Sequence, residues 1–129
     1  MDKNESVFAF ACRVKHRQEW GETTYNARSA AEAKRLHLLK VRDAWDNVQF
    51  VDIRARKLGA PFTDDGFTRT AVYRGLPTLR CGDFVRVGNS QGVLVGYTDT
   101  ACFEVLFTSG KLKDLRLSVH PNEMKVLKS

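Results

Sequence analysis

Contact with phosphate needs Lys and Arg placed to meet its oxygens, and contact with a single strand adds rings on which bases can stack. This sequence carries both. Arg13, Lys15 and Arg17 close its first apolar run, and Arg54, Arg56 and Lys57 close a later one. If those two segments pair as strands, their basic ends come together, and Arg35 and Arg42, seven residues apart on one helical face, extend the patch. Trp20 and Phe50 are the candidate stacking rings of this half. In the second half Arg80, Arg86, Lys111, Lys113 and Arg116 border expected loops, with Phe84 and Tyr97 as the candidate rings.

Other chemistries find less material. Cys102 and His120 form the nearest approach to a nucleophile and its base, but no carboxylate stands at a spacing that would orient the histidine. Asp64-Asp65-Gly66 resembles the start of a calcium loop and lacks the later ligands and the closing glutamate. No glycine-rich loop leads into a lysine in the way a phosphate cradle requires. Cys12, Cys81 and Cys102 are an odd number without a C-x-x-C pair, and His16, His37 and His120 are isolated. The expectation is a chain without catalytic residues, metal or cofactor, whose thiols are reduced and inert.

The 129 residues carry 21 Lys+Arg against 15 Asp+Glu, a formal charge of +6. With 43% hydrophobic residues and both charge signs interspersed, the chain can bury a core and does not read as disordered. No run approaches the roughly 20 apolar residues of a membrane span, and Met1-Asp2-Lys3-Asn4-Glu5-Ser6 is polar where a signal peptide would be basic. A cytoplasmic location is expected. The charge is uneven: residues 1–59 hold 12 Lys+Arg and 8 Asp+Glu, net +4, and the remaining 70 hold 9 and 7, net +2.

Positioning these residues falls to two parts joined by a linker: 1–59, 60–78 and 79–129. Val7 to Val14 reads as a strand that leaves a core and turns basic at Lys15-His16-Arg17. Thr23 to Ala27 suits a short second strand. Ser29-Ala30-Ala31-Glu32 fits a capping box, with the Ser29 hydroxyl accepting from the Glu32 N–H and the Glu32 carboxylate reaching back to the Ser29 N–H. A helix then runs to Trp45, ended by Asp46-Asn47, with Leu36 and Leu39 on its apolar side. Val48 to Arg56 alternates as a strand, Val51, Ile53 and Ala55 on one face and Phe50, Asp52, Arg54 and Arg56 on the other. The order is similar to part of a ferredoxin-like or double-stranded-RNA-binding-like layer, with too few elements to complete either.

After Leu58-Gly59-Ala60-Pro61 comes a turn-rich stretch, Phe62-Thr63-Asp64-Asp65-Gly66, and then a succession of strands. These are Asp83 to Val87, Gln91 to Tyr97, Phe103 to Phe107, Leu115 to Val119 and Met124 to Leu127, with one tight turn, His120-Pro121-Asn122-Glu123, before the last. The Gly82-Asp83-x-Val85-x-Val87 entry, the Gly92-Val93-x-Val95 pair and the closing His120-Pro121-x-Glu123-Met124 turn carry a likeness to a known family. From Leu79 to Leu127 the chain resembles a five-stranded SH3-like barrel of the KOW and Tudor kind. The resemblance implies a Gly92 that turns the backbone tightly at positive φ. It also implies binding of RNA, DNA or protein surfaces through loops, or a structural place in a phage head or tail.

The expected fold is therefore α+β, a strand-helix-strand N-terminal layer packed on a C-terminal SH3-like barrel. The expected function is non-enzymatic nucleic-acid binding through the phosphate backbone. The alternatives are a protein-docking adaptor or inhibitor on an acidic protein surface, such as a phage- or plasmid-encoded anti-defence factor, or a virion component.

Overall fold

A computed structural model describes residues 7–45 and 47–127; the acidic N-terminal hexapeptide and Asp46 lie outside the described residues. Among the described residues the fold is α+β, with two α-helices and two antiparallel sheets, one of three strands and one of five. The chain divides into two compact units that meet in sequence between Phe62 and Thr63.

The N-terminal unit is a three-stranded sheet under one helix. Strands β1 (Phe8–Val14), β2 (Thr23–Ala27) and β3 (Ile53–Gly59) lie in the order β2-β1-β3. Helix α1 (Ala30–Arg42) covers one face. Period-two alternation sends Phe10, Cys12 and Val14 of β1 and Ile53 of β3 toward the helix, where they meet Ala33 and Val41 in one buried cluster. The seam of α1 is Ala33, His37 and Val41, spaced by four residues, and Leu39 is left exposed. The Ser29 hydroxyl accepts from the Glu32 N–H at 3.2 Å as the capping pattern requires, while Glu32 holds Arg28 through both its backbone N–H and its guanidinium. The helix stops at Arg42, three residues before its expected end at Trp45.

A larger departure concerns the approach to β3. Residues 48–52, expected as strand, instead carry a 3-10 turn, Phe50–Asp52. The Asp52 carboxylate accepts from the Gln49 N–H at 2.9 Å, and the Asp52 carbonyl accepts from the Lys15 N–H at 2.7 Å. The carboxylate bond offers the backbone an alternative to a sheet ladder, and the Lys15 bond ends the β1–β3 pairing at the turn. The turn breaks the alternation, so Val51, expected on one face with Ile53, is 71% exposed while Ile53 is buried.

The C-terminal unit is a five-stranded sheet with a helix on it. Strands β4 (Phe84–Val87), β5 (Ser90–Tyr97), β6 (Phe103–Phe107), β7 (Arg116–Val119) and β8 (Lys125–Leu127) lie in the order β7-β6-β5-β4-β8. A 3-10 turn, Pro121–Glu123, precedes β8 at the expected place. Among the described residues no ladder joins β7 to β8, so the sheet is not closed into a barrel. Gly92 has a different role from the one the resemblance implies. The positive-φ glycine of the β4–β5 turn is Gly88, at +60°, and a Cβ at Gly92 would come within 3.0 Å of the Leu106 carbonyl oxygen.

Within the stretch expected as a linker, helix α2 (Asp65–Tyr73) forms instead. Asp64 is its N-cap, its carboxylate accepting from the Phe67 N–H at 2.8 Å. Phe67 and Ala71 enter the core with Leu94, Phe103, Val105 and Phe107. Asp64-Asp65-Gly66 thus starts a helix, and Gly66 allows the Tyr97 hydroxyl to lie where a Cβ would stand.

Candidate functional site

The two basic segments meet at Arg13 and Arg54, while the antiparallel run of β3 carries Arg56 and Lys57 away from Lys15 and Arg17. In the β1–β3 ladder Arg13 lies directly opposite Arg54 and Ala11 opposite Arg56. Like charges opposed across two strands are unfavourable, and neither Arg13 nor Arg54 has a carboxylate partner among the described residues. β3 is an edge strand, and its cations also discourage pairing with another chain.

Two grooves open where β1 runs out and the Phe50–Asp52 turn enters β3. The first, about 500 Å³, is lined by Lys15, Lys34, Phe50, Val51, Ile53, Arg54 and Ala55. The second, about 460 Å³, is lined by Val14, Lys15, Arg17, Trp20, Trp45, Asn47, Val48 and Asp52. Lys15 belongs to both. The Lys34 ammonium stands 5.8 Å from the centroid of the Phe50 ring, and that ring is 37% exposed. In the second groove Trp20 and Trp45 stack at 4.2 Å between centroids and 17° between planes, with the Arg17 guanidinium 5.4 Å from the Trp20 ring. Trp45 is 47% exposed. Among the described residues the one acidic residue along either groove is Asp52, whose carboxylate is engaged by the Gln49 N–H.

Thus four of the expected cations, Lys15, Arg17, Arg54 and its neighbour Arg13, share one region with the expected rings Trp20 and Phe50. Lys34 and Trp45 join them, though the sequence did not single them out. Both lie in what read as one continuous helix, and only the stop at Arg42 turns Trp45 back toward Trp20. Other cations have local duties. The Arg56 guanidinium pairs with Glu22 at 3.3 Å, Lys57 sits 3.7 Å from the centroid of the Phe8 ring, and Arg42 donates to the Val48 carbonyl at 3.2 Å. Arg35 is exposed on α1 and lines neither groove.

In the C-terminal unit Arg86, Lys111 and Lys113 are exposed, Lys111 and Lys113 in the β6–β7 connection. Arg116 is paired with Glu104 at 3.0 Å, and Arg80 folds back onto the Pro77 and Leu79 carbonyls. Phe84 is buried and offers no face for stacking, a correction to its reading as an exposed ring. It opens β4, an inner strand between β5 and β8, where an apolar ring is covered while the charged Arg86, two residues on, reaches solvent. Tyr97 is partly covered by α2 at Gly66. With Arg69, Tyr73 and Thr98 it borders an open cleft of about 320 Å³.

Burial pushes the Cys12 thiol up to about 11 and the Cys81 thiol up to about 12. No three His, Cys, Asp or Glu side chains converge as a metal site among the described residues. Among these residues, too, no helix is long and apolar enough to cross a membrane. Comparison with protein-family models, with curated proteins and with solved structures finds no match for the chain.

Proposed function

We propose that this protein is a non-enzymatic nucleic-acid-binding accessory protein whose N-terminal unit contacts the phosphate backbone. The observation that carries the reading is the meeting of Lys15, Lys34 and Arg54 around one groove with Phe50, none of the three paired with a carboxylate among the described residues. Crowded cations without local counter-charge raise the energy of the free protein, and a bound polyanion lowers it. The strand order β7-β6-β5-β4-β8, with the last strand returning beside the first after a 3-10 turn, supports an open SH3-like reading of the C-terminal unit. Lys111 and Lys113, in a connecting loop, are where such a unit would add phosphate contacts.

Binding of the full chain to labelled DNA and RNA of unrelated sequences tests this. Lys15→Ala with Arg54→Ala is expected to weaken binding by roughly tenfold or more on every sequence, since a charge-assisted contact contributes about 1.5–3 kcal/mol. Arg56→Ala, which removes a cation held by Glu22, is expected to do much less. Equal affinities for the double variant and the parent would remove the groove from the site.

A second reading, docking on an acidic protein surface, draws support from α2, where Val72 and the 75%-exposed Tyr73 lie near Arg69 and the open cleft. Recovery of one protein partner after nuclease treatment, together with no affinity for nucleic acid at low salt, would favour it.

A further inference from the structure

Backbone contact alone does not distinguish a duplex from a single strand; the rings in the two grooves do. We infer that the preferred ligand is single-stranded nucleic acid, its backbone tracked by Lys15, Lys34 and Arg54 and its bases stacked on Phe50 and on the outer face of the Trp20–Trp45 pair. This rests on the phosphate-binding reading above and narrows it to one ligand class and one pair of grooves.

Three observations support it. Phe50 and Trp45 are large rings that the fold leaves open to solvent beside these cations, whereas Phe62, a further exposed ring of the unit, lines neither groove. Leaving such surface exposed is unfavourable, and a base covers it without regard to sequence because every base has a π-face. The Asp52 bonds to Gln49 and Lys15 fix the turn that lifts Phe50 out of the sheet, so the platform is formed before any ligand arrives. The grooves are also contiguous: Lys15 lines both, placing one cation between two sets of rings, the alternation of charge and stacking surface that a strand with one phosphate per base calls for. A duplex keeps its bases stacked on each other and cannot offer them to these rings without unpairing.

Both tryptophans of the chain sit in the second groove, so intrinsic fluorescence reports on that groove alone. The test titrates the full chain with oligo-dT, oligo-rU and a duplex of equal length at low salt, following tryptophan emission and the anisotropy of labelled strands. Both single strands are expected to bind more tightly than the duplex and to quench the emission. Phe50→Leu, which keeps apolar bulk and removes the ring, is expected to weaken single-strand binding by about five- to a hundredfold and to leave duplex binding nearly unchanged. Phe50→Tyr is expected to restore it, which separates stacking from damage to the fold. A preference for one of the two single strands would show that the 2′-hydroxyl or the thymine methyl is read and would uphold the inference. Salt-sensitive binding that is equal for duplex and single strands, and indifferent to Phe50→Leu, would overturn the single-strand inference and leave the phosphate reading standing. Absence of binding to all three ligands would overturn both.

Discussion

Lys15 is where the site becomes more than a count of charges, because its backbone N–H holds the Asp52 carbonyl while its side chain lines both grooves. That Arg13 and Arg54 are neighbours was not legible in the sequence: an antiparallel pair sets the end of one strand against the start of the other, and Arg54 reaches Arg13 only because β3 starts at Ile53, five residues later than its apolar run. Which rings are available was not legible, because burial depends on what lies across the sheet. Phe84 and Phe50 look alike in a strand-like pattern, yet one is enclosed and the other raised on a turn. Two predictions belong to single residues. His37 is buried, its Nδ1 2.9 Å from the Tyr25 hydroxyl, and burial, with the charge of Lys40 adding to it, holds its pKa below the ordinary 6.5. Between the lowered value and 6.5 the unfolded chain binds more protons than the folded one. Stability is therefore expected to be full above pH 6.5 and to decline as pH falls through that window. Urea midpoints at about pH 7.5 and about pH 5.5 measure this, and His37→Leu should flatten the difference. The second prediction concerns the thiols. With Cys12 and Cys81 pushed to about 11 and about 12, a thiol reagent near neutral pH should leave both unmodified in the native protein and reach all three cysteines only in denaturant.

Elements differ in how openly the sequence declares them. Helix α1 begins where Ser29 caps it, and the five C-terminal strands fall within a residue or two of their apolar runs, because each is set by local pattern and a flanking turn. Helix α2 is not declared by the sequence, although Asp64 is a suitable N-cap. The aspartates read as a solvated turn, and only a buried seat for Phe67 and Ala71 makes a helix of nine residues worth forming there. Asp64→Ala is accordingly expected to lower stability by about 1 kcal/mol, through loss of the bond to the Phe67 N–H. A urea midpoint equal to the parent's would deny the cap that role. The β5–β6 connection gives a prediction of opposite sign. Ala101 sits at φ +59°, a left-handed conformation that its Cβ disfavours, with its carbonyl held by Arg74 at 2.7 Å. Ala101→Gly should relieve that strain and, after the entropy glycine adds to the unfolded chain, stabilise by about 0.5–1 kcal/mol. Destabilisation would show that the methyl group matters more than the strain.

At the scale of the whole molecule, the net charge of +6 is informative only once its distribution is known. Much of the basic surface has local employment: Arg28 with Glu32, Arg56 with Glu22, Arg116 with Glu104, and Arg42, Arg74 and Arg80 on backbone carbonyls. Among the described residues the cations around the two grooves of the N-terminal unit have no carboxylate partner, as is also true of Arg86, Lys111 and Lys113 in the C-terminal unit, and at the grooves such cations stand beside exposed rings. Composition places +4 of the +6 before residue 60, but pairing is a property of the folded chain and cannot be counted from composition. The claim that this region receives phosphates is tested most directly by salt. Each phosphate neutralised on a single strand releases counterions, and the slope of log K against log salt is about −0.7 per contact. Lys15, Lys34 and Arg54 together should give a slope of about −2, and Lys15→Ala with Arg54→Ala should make it shallower by about 1.4. The same slope in parent and double variant, or an affinity that does not fall as salt rises, would contradict the account.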